Sequence, residues 1–289
     1  MDFAALRAFV SVAEHQSFSM AASVLFLSQS AISKRISGLE MTLNCRLFDR
    51  IGRKTLLTEA GLALLPRAHQ ILAAVEDSRH ALHNLTGKIA GEVKIATSHH
   101  IGLHRLPPVL KAYIRRYQDV SLDMRFLNSE AACHSVEQGE VDLAIITLPL
   151  YQHHKLSYTP RWTDPLVFVA GLDHPLCSTS AIETSELVTH RAILSAPDTY
   201  TRAILDSALA AQHVTIQTCL VTNYMETIRM MVSIGMGWSL LPKSMVTNEL
   251  KVLTVNDIQL SRMLGTVTHL DRTLSNASKA LLETLQQFR

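Results

Sequence analysis

The sequence predicts an α/β chain in three parts: a small N-terminal helical module with a β-hairpin, one long helix, and a two-lobed α/β domain. Three observations predict this order. Apolar residues recur at helical spacing up to Leu43, an apolar seam with heptad spacing follows to about Leu85, and strand-like and helix-like segments alternate from Glu92 onward. We place the three parts at residues 1–58, 59–90 and 91–289.

The composition limits the class of protein. A chain of 289 residues has room for two or three domains, and 18% charged residues argue against long disordered regions. No segment approaches about 18 uninterrupted apolar residues, so we expect no membrane partner. The first residues lack a basic region followed by a cleavable apolar stretch, so we expect a cytoplasmic protein. The four cysteines lie far apart and are expected to be isolated thiols.

The N-terminal module is predicted to be a winged helix-turn-helix. Ser17 can cap its second helix, and Ser28 can cap a third helix from Gln29 to about Leu43. The outer face of this third helix is polar, so its first residues could meet base edges in a DNA major groove. Its inner face is apolar and consists of Ala31, Ile32, Ile36, Leu39 and Leu43.

The following segment, residues 46–58, is predicted to be a β-hairpin with Gly52 in its turn. The window 29–54 has six basic and two acidic residues, a net charge of +4 against +2 for the whole chain. A local basic patch of this kind is typical of a DNA-binding surface. The alternative is a helical bundle with a solvated charged face. Three cations suit a wing that lies along the phosphates or the minor groove: Arg50, Arg53 and Lys54.

Five motifs occur at fixed spacing between residues 17 and 61: SF-x-x-AA at 17–22, SQSA-x-S at 28–33, LE at 39–40, LF-x-R at 47–50 and LTEAG at 57–61. Together they closely resemble the signature of LysR-type transcriptional regulators. The resemblance implies that the partner is double-stranded promoter DNA. Lys34 stands where the family often has Arg, and lysine lacks the bidentate fork of arginine. The implied DNA contacts are Ser17, Ser28, Gln29, Ser30, Ser33, Lys34, Arg50, Arg53 and Lys54.

The long helix is predicted to follow an N-cap at Thr58 and to end at about Leu85, before a hinge at residues 86–91. An apolar seam either lies on its own domain or pairs with a second chain. The resemblance implies an antiparallel homodimer through this helix and pairing of dimers into a homotetramer. The sequence leaves dimer and tetramer open. The seam consists of Leu64, Ala68, Ile71, Val75, Ser78, Leu82 and Leu85.

The C-terminal part begins with a predicted βαβαβ unit at residues 93–147, with a single helix at 103–117. A second set of strands and helices follows between 166 and 241, with a last helix at 275–288. Chain crossings near 147–160 and 261–270 would give lobe I (about 91–160 and 266–289) and lobe II (about 161–265). The GEVDLAI and GMGWSLLP segments at 139–145 and 235–242 resemble the two-lobed, periplasmic-binding-protein-like effector domain of the same family.

Ligands of open α/β sheets bind beyond the carboxyl ends of the strands. Hydroxyl and amide side chains stand at those ends here and favour a small carboxylate or amino acid as effector. His99 and His100 stand where the family tends to have Ser or Thr. Two interpretations are open for this pair. At least one histidine contacts the ligand, or one faces solvent while the other packs locally. The candidate effector residues are Ser98, His99, His100, Asn128, Ser129, Thr147, Thr199, Tyr200 and Asn223.

Other functions are weighed against this one. We recognise neither an HxxxH nor an HExxH helix motif, and we expect neither a metal nor another cofactor. Cys177 and Cys219 do not match the cysteine pair of peroxide-sensing family members, and Cys219 is expected in the core. Two classes compete with this one: an enzyme or solute-binding α/β protein, and a purely architectural dimer. Because no nucleophile elbow or phosphate loop is found, we expect a protein that is not an enzyme.

Overall fold

The computed structural model describes residues 2–51 and 54–288, and the backbone alone at residues 50, 51 and 54. The chain divides into two compact units. Unit 1 contains the residues up to Lys88 together with 138–140 and 272–275, and unit 2 contains the rest. The described part of the chain contains no helix that is long and apolar enough to cross a membrane.

Unit 1 begins with three helices, α1 (Phe3–His15), α2 (Phe18–Val24) and α3 (Gln29–Leu43). A β-hairpin of β1 (Phe48–Ile51) and β2 (Lys54–Leu57) follows, with the two strands antiparallel. The predicted helix-turn-helix and hairpin are therefore confirmed. The core gathers the inner faces of the helices and the first strand, and its buried members include Phe9, Ile32, Ile36, Leu39 and Phe48.

One residue of the predicted inner stripe lies elsewhere. Leu43 is exposed, because it stands in the last turn of α3, beyond the last buried residue of that helix, Leu39. The helix ends at Asn44, which adopts a left-handed conformation with φ of 52°. Asparagine tolerates this conformation better than most residues, so it suits a helix C-terminus.

The long helix α4 spans Glu59–Asn84, and the Thr58 hydroxyl caps it by accepting a hydrogen bond from the Gly61 N–H at 3.0 Å. The predicted heptad seam is divided between two environments. Its first part packs on the core of unit 1 through Leu64, Ala68 and Ile71. Its last part is exposed, since Leu82 is 70% and Leu85 84% accessible. The interpretation that the helix lies on its own domain therefore holds for the first half of the seam.

Unit 2 opens with the predicted βαβαβ unit. Strand β3 (Gly91–Thr97) pairs in parallel with both β4 (Val120–Phe126) and β5 (Leu143–Thr147), which confirms the parallel sheet. The single helix predicted at 103–117 is instead two helices, α5 (His99–His104) and α6 (Leu106–Arg116). The chain breaks at Arg105 because prolines at the start of α6 favour a new helix there. Helix α7 (Ser129–Gln138) has its predicted bounds.

Strand β5 and the second half of β3 are buried on both faces, as parallel strands usually are, whereas the edge strand β4 is only half-buried. Val93 and Ile95 face one core with helix α6 and the last helix, α11 (Asn276–Gln286). Ala96 faces the opposite core with α7. Alternation of side chains along a strand thus places helices on both sides of the sheet.

Two long strands stand where the sequence predicts chain crossings. Strand β6 (Leu156–Gly171) and strand β11 (Leu260–His269) pair antiparallel along their common length, with a register shift between Leu264 and Gly265. They belong to one sheet of order β10-β6-β11-β5-β3-β4, in which β9 also pairs with β6. The sequence predicted only residues 166–170 of these two segments as a strand, so it missed most of β6 and all of β11, and the division into two lobes stays a prediction.

The rest of unit 2 surrounds the far half of β6. Strands β7 and β8 form a separate parallel pair, and helices α9 and α10 follow them along the chain. Cys219 is exposed on β8, contrary to the expected core position. This is because β8 pairs on one side only, with β7. The remaining elements are α8 (Thr184–Val188), β7 (Ala192–Leu194), α9 (Tyr200–Ala210), β8 (Thr218–Val221), α10 (Met225–Ser233), β9 (Ser239–Pro242) and β10 (Leu250–Leu253).

Candidate DNA-binding surface and ligand cleft

Two predicted DNA-contact serines cap the helices of the helix-turn-helix. The Ser17 hydroxyl accepts a hydrogen bond from the Met20 N–H, and the Ser28 hydroxyl accepts one from the Ala31 N–H, each at 3.2 Å. Capping fixes where each helix starts and so which residues its first turn presents. The caps thus place both serines at helix N-termini, where backbone N–H groups suit a phosphate.

The outer face of α3 carries the other predicted contacts. Gln29, Ser30 and Lys34 are exposed, and Ser33 is half-buried. The Ser19 hydroxyl donates to Gln29 Oε1 at 3.1 Å, which orients the glutamine amide from the preceding helix. The structure therefore brings these four residues onto one side of the helix that faces away from the core.

Sequence analysis did not single out Glu40, which ties α3 to the hairpin. Its Oε1 accepts hydrogen bonds from the backbone N–H groups of Leu47 at 2.7 Å and Phe48 at 3.4 Å. A carboxylate that accepts backbone N–H groups makes strong, charge-assisted bonds. The only sequence signal was the LE pair of the motif at 39–40.

Only some of the residues predicted to contact DNA from the wing lie in the described part of the chain. Arg50 and Lys54 lie on the two hairpin strands, in β1 and β2 respectively, and their side chains are not described. Gly52 and Arg53 lie outside the described residues. The contacts predicted for these cations therefore remain predictions.

A cavity of about 780 Å³ lies in unit 2, where the loops after β3, β4, β5, β7 and β8 meet. This is the carboxyl end of the strands, as predicted for a ligand site in an open sheet. The structure brings most of the predicted effector residues together there. Those that line the cavity are Ser98, His99, His100, Asn128, Ser129, Thr147, Thr199 and Asn223.

Tyr200 is the exception. It is absent from the cavity lining, because its ring packs in the core cluster that contains Cys133 and Tyr158. Burial raises the pKa of Tyr200 above its ordinary value. Its backbone N–H still contributes, since it donates to Oε1 of Glu130, a lining residue that sequence analysis missed.

Several lining side chains also hold the loops in place. Asn128 Oδ1 accepts from the Ala131 N–H at 2.8 Å, and Asn223 Oδ1 accepts from the Ala196 N–H at 2.9 Å. The Ser129 hydroxyl accepts from the Thr147 N–H at 3.2 Å. Ser98 differs, because it precedes α5 without making a side-chain capping bond. These bonds fix the positions of the polar groups before any ligand arrives.

Arg262 lines the cavity and belongs to an ion-pair network with Asp164 and Arg105, which are not part of the lining. The Arg262 Nε–H donates to Asp164 Oδ2 at 2.9 Å, and the Arg105 guanidinium lies 3.3 Å from Asp164 Oδ1. Asp164 and Arg262 are only 1% and 3% exposed. Burial lowers the pKa of Arg262, while the Asp164 carboxylate opposes that shift. One carboxylate thus faces two guanidiniums, so these three residues together carry an excess of positive charge.

Sequence analysis missed Arg262, Asp164 and Arg105. Arg262 and Asp164 are 98 residues apart and meet only because β6 and β11 pair. The Arg262 Nη1–H also donates to the Thr201 hydroxyl at 2.9 Å, which brings helix α9 into the same network. A weak signal existed in Arg262, the one residue among Asp, Glu, Lys and Arg in the segment 260–269.

The two predicted histidines lie in different environments. His99 is exposed, with its ring edge-to-face against Phe126 at 5.8 Å and Tyr224 at 6.4 Å between ring centroids. His100 is 3% exposed, and neither ring nitrogen has a hydrogen-bond partner among the described residues. Burial, followed by the positive charge of Arg262, lowers the pKa of His100 to about 3. His100 is therefore a neutral imidazole at the edge of the cavity.

The cysteines do not resemble a redox site. Burial raises the pKa of Cys133 and of Cys177 above the ordinary thiol value. The Cys177 thiol donates to the Gly171 carbonyl at 3.2 Å. A reactive cysteine requires a lowered pKa, so neither thiol is activated.

Comparison with known proteins identifies both units. The model of the bacterial regulatory helix-turn-helix protein of the lysR family matches residues 3–62, and the LysR substrate binding domain matches residues 86–289. A probable RuBisCO transcriptional regulator of Cyanophora paradoxa is 30% identical over 96% of this chain and 89% of its own length. A helix-turn-helix regulator of Azotobacter vinelandii is 58% identical over 41% of this chain and 84% of its own length.

Solved structures show the same fold. A full-length OxyR variant from Pseudomonas aeruginosa superposes with a TM-score of 0.75 at 23% identity, covering 100% of this chain and 95% of its own. The effector binding domain of QuiR in complex with shikimate has a TM-score of 0.63 at 19% identity and covers 68% of this chain and 96% of its own. From the two matching domain models and the full-length relative, the chain belongs to the LysR family of DNA-binding transcriptional regulators, with a C-terminal effector-binding domain.

Proposed function

We propose that this regulator responds to a small carboxylate or amino acid bound in the unit 2 cleft. The observation that carries the proposal is Arg262 in the cavity lining, because it shares the single carboxylate of Asp164 with a second cation, Arg105. A bound carboxylate would balance the remaining positive charge. The hydroxyl and amide groups around the cavity would fix its orientation.

The size of the cleft supports a metabolite. About 780 Å³ lies within the range of roughly 300–1,000 Å³ that is usual for small-molecule sites. The QuiR domain, which shares the fold, was solved with shikimate, an organic acid anion. Effector binding would change the closure of the cleft and so shift the population of DNA-binding arrangements. The protein would act by binding alone and would not turn its effector over.

A thermal-shift screen of the full chain tests the effector class. Small carboxylates at about 100 times their Kd should raise Tm by roughly 5–10 °C, whereas the matching neutral amides and alcohols should not. Ser98→Ala should reduce this shift, because the Ser98 hydroxyl lines the cavity without capping a helix. Ser121→Ala on exposed β4 is the control.

Two results would contradict the proposal. Equal stabilisation by neutral isosteres and acids would show that the site is not selective for an anion. An unchanged shift in Ser98→Ala, with Ser121→Ala also unchanged, would remove Ser98 from the set of ligand contacts. DNA binding by both variants, measured by gel shift, checks that unit 1 is unaffected.

We further propose that promoter DNA is contacted by the outer face of α3 and by the wing cations. The exposed positions of Gln29, Ser30 and Lys34 and the capped N-terminus of α3 support this. The chain would act as a homodimer through α4, with dimers pairing into a homotetramer. The exposed Leu82 and Leu85 support pairing of two chains through α4, because a partner that covers large apolar side chains removes them from water and so stabilises the dimer.

A further inference from the structure

A group of metal-ligating side chains in unit 2 consists of His100, which lines the cavity, and two residues that do not line it, His104 and Glu226. His100 and His104 stand four residues apart on α5, and Glu226 stands in the first turn of α10. Their ligand atoms all lie within 4.8 Å of one another. The expectation that no HxxxH motif is present was wrong, because His100 and His104 have this spacing on one helix. Nothing in the local sequence connects Glu226 to them.

The geometry suits a small divalent ion. Residues four apart on a helix lie on the same face, so both imidazoles point the same way. The His104 Nε2 and Glu226 Oε1 atoms are 3.5 Å apart. Ligand atoms on a tetrahedral ion with bonds of about 2.0–2.1 Å are separated by roughly 3.3–3.4 Å. That pair already has nearly the required spacing, and His100 would complete the set by a shift of at most about 1.4 Å, the difference between 4.8 Å and about 3.4 Å.

The polar atoms of this group lack other partners. Both ring nitrogens of His100 and both carboxylate oxygens of Glu226 are buried and make no hydrogen bond to any described residue. Buried polar atoms are normally hydrogen-bonded, and leaving them without partners costs free energy. His100 is 97% buried, so its nitrogens depend on what occupies this space. A metal ion would satisfy one nitrogen of His100 and the Glu226 carboxylate together.

We propose that His100, His104 and Glu226 bind one transition-metal ion of the Zn²⁺ type. Two imidazoles and one carboxylate are ligands that Zn²⁺ and its neighbours prefer. Asp164 Oδ2 lies 4.0 Å from His100 Nε2, the kind of carboxylate neighbour that orients a metal-bound imidazole. Glu226 offsets part of the ion's charge, while Asp164 is shared by Arg262 and Arg105.

The site would couple the two sides of the cleft. Helix α5 follows β3 and helix α10 follows β8, and an ion held by both would fix their separation. Three protein ligands leave at least one position open on the ion. Because His100 also lines the cavity, that position is accessible to water or to a carboxylate group of a bound effector.

Metal binding to the untagged full chain, freed of metal with a chelator, tests the proposal. We expect one equivalent of Zn²⁺ per chain by titration calorimetry, and visible absorption of tetrahedral type when Co²⁺ is the probe. His104→Gln and Glu226→Gln should each raise the Zn²⁺ Kd by more than about tenfold, since even indirect partners of a metal cost about that much. Both residues are partly exposed, so these variants should fold, which circular dichroism checks.

The control is His153→Gln. His153 matches His104 closely, because it is 44% against 41% exposed and lies 3.9 Å from a glutamate, Glu137. It should bind Zn²⁺ like the unaltered protein. The proposal is overturned if no Zn²⁺ binds, if the His104 and Glu226 variants bind as tightly as the unaltered chain, or if the control loses affinity equally. DNA binding by the chelated protein is measured separately, so failure here leaves the effector proposal standing.

Discussion

The outer face of α3 and the unit 2 cleft both present polar groups to a partner, but they hold these groups in different ways. On α3, Gln29 and Lys34 are exposed, and a buried apolar face on the other side of the same helix holds them in position. In the cleft, Asp164 and Arg262 are almost fully buried and held by each other. A surface site of the first kind costs little to build. A buried site requires charges to be removed from water and paired.

Breaking the buried Asp164–Arg262 pair should have the largest effect on stability. Asp164→Asn leaves the Arg262 charge buried without a counter-ion and should lower the free energy of unfolding by about 3–5 kcal/mol, measured by urea titration of the full chain. The control is Asp206→Asn on α9, because Asp206 pairs with Arg202 at 2.7 Å but is 46% exposed. It should cost at most about 1 kcal/mol. Equal losses in the two variants would show that burial does not distinguish the pairs.

Leu82→Gln tests whether the exposed end of the α4 seam is a subunit interface. Covering one leucine side chain contributes about 1.5–3 kcal/mol to association. The variant should therefore have a higher dissociation constant and dissociate at a higher protein concentration in analytical ultracentrifugation. Leu150→Gln, at an exposed leucine of unit 2, is the matched control. An unchanged dissociation constant for Leu82→Gln would place the interface elsewhere.

Lys34→Ala should have the smallest effect on the fold and a selective effect on DNA. We expect it to lose about 1–3 kcal/mol of affinity for a promoter fragment and less for scrambled DNA, measured by fluorescence anisotropy at two salt concentrations. Lys111→Ala, an exposed lysine on α6, should change neither. A uniform loss on both DNA molecules would mean that Lys34 contacts phosphate and does not read a base.

The elements of unit 1 could be predicted because their signals are local. Ser17, Ser28 and Thr58 cap the three helices that they were predicted to cap, and α3 has its predicted bounds. A cap acts within three residues of itself, and an apolar stripe repeats within two turns. The division of the α4 seam was not predictable in the same way, because it depends on where α1 lies.

The strands of unit 2 were predictable where strand-like and helix-like segments alternate along the chain, as for β3, β4 and β5. Strand β11 follows no such alternation, and with Arg262 and several polar residues it looked like a connection. The order of elements also explains which residues of the cleft could be predicted. Strand ends such as Ser98 and Asn128 were identified from the order of elements. Charged partners from distant strands were not.

The sequence by itself determined the helix-turn-helix, the long helix, the parallel βαβαβ unit and the family, because each follows from motifs and periodicities between near neighbours. Only the tertiary structure decided that Asp164 meets Arg262 across 98 residues and that His100 and His104 face Glu226. Those meetings depend on the pairing of β6 with β11 and on the placement of α10 beside α5. Long-range pairing leaves little trace in local sequence, so the chemistry of the cleft became visible only in three dimensions.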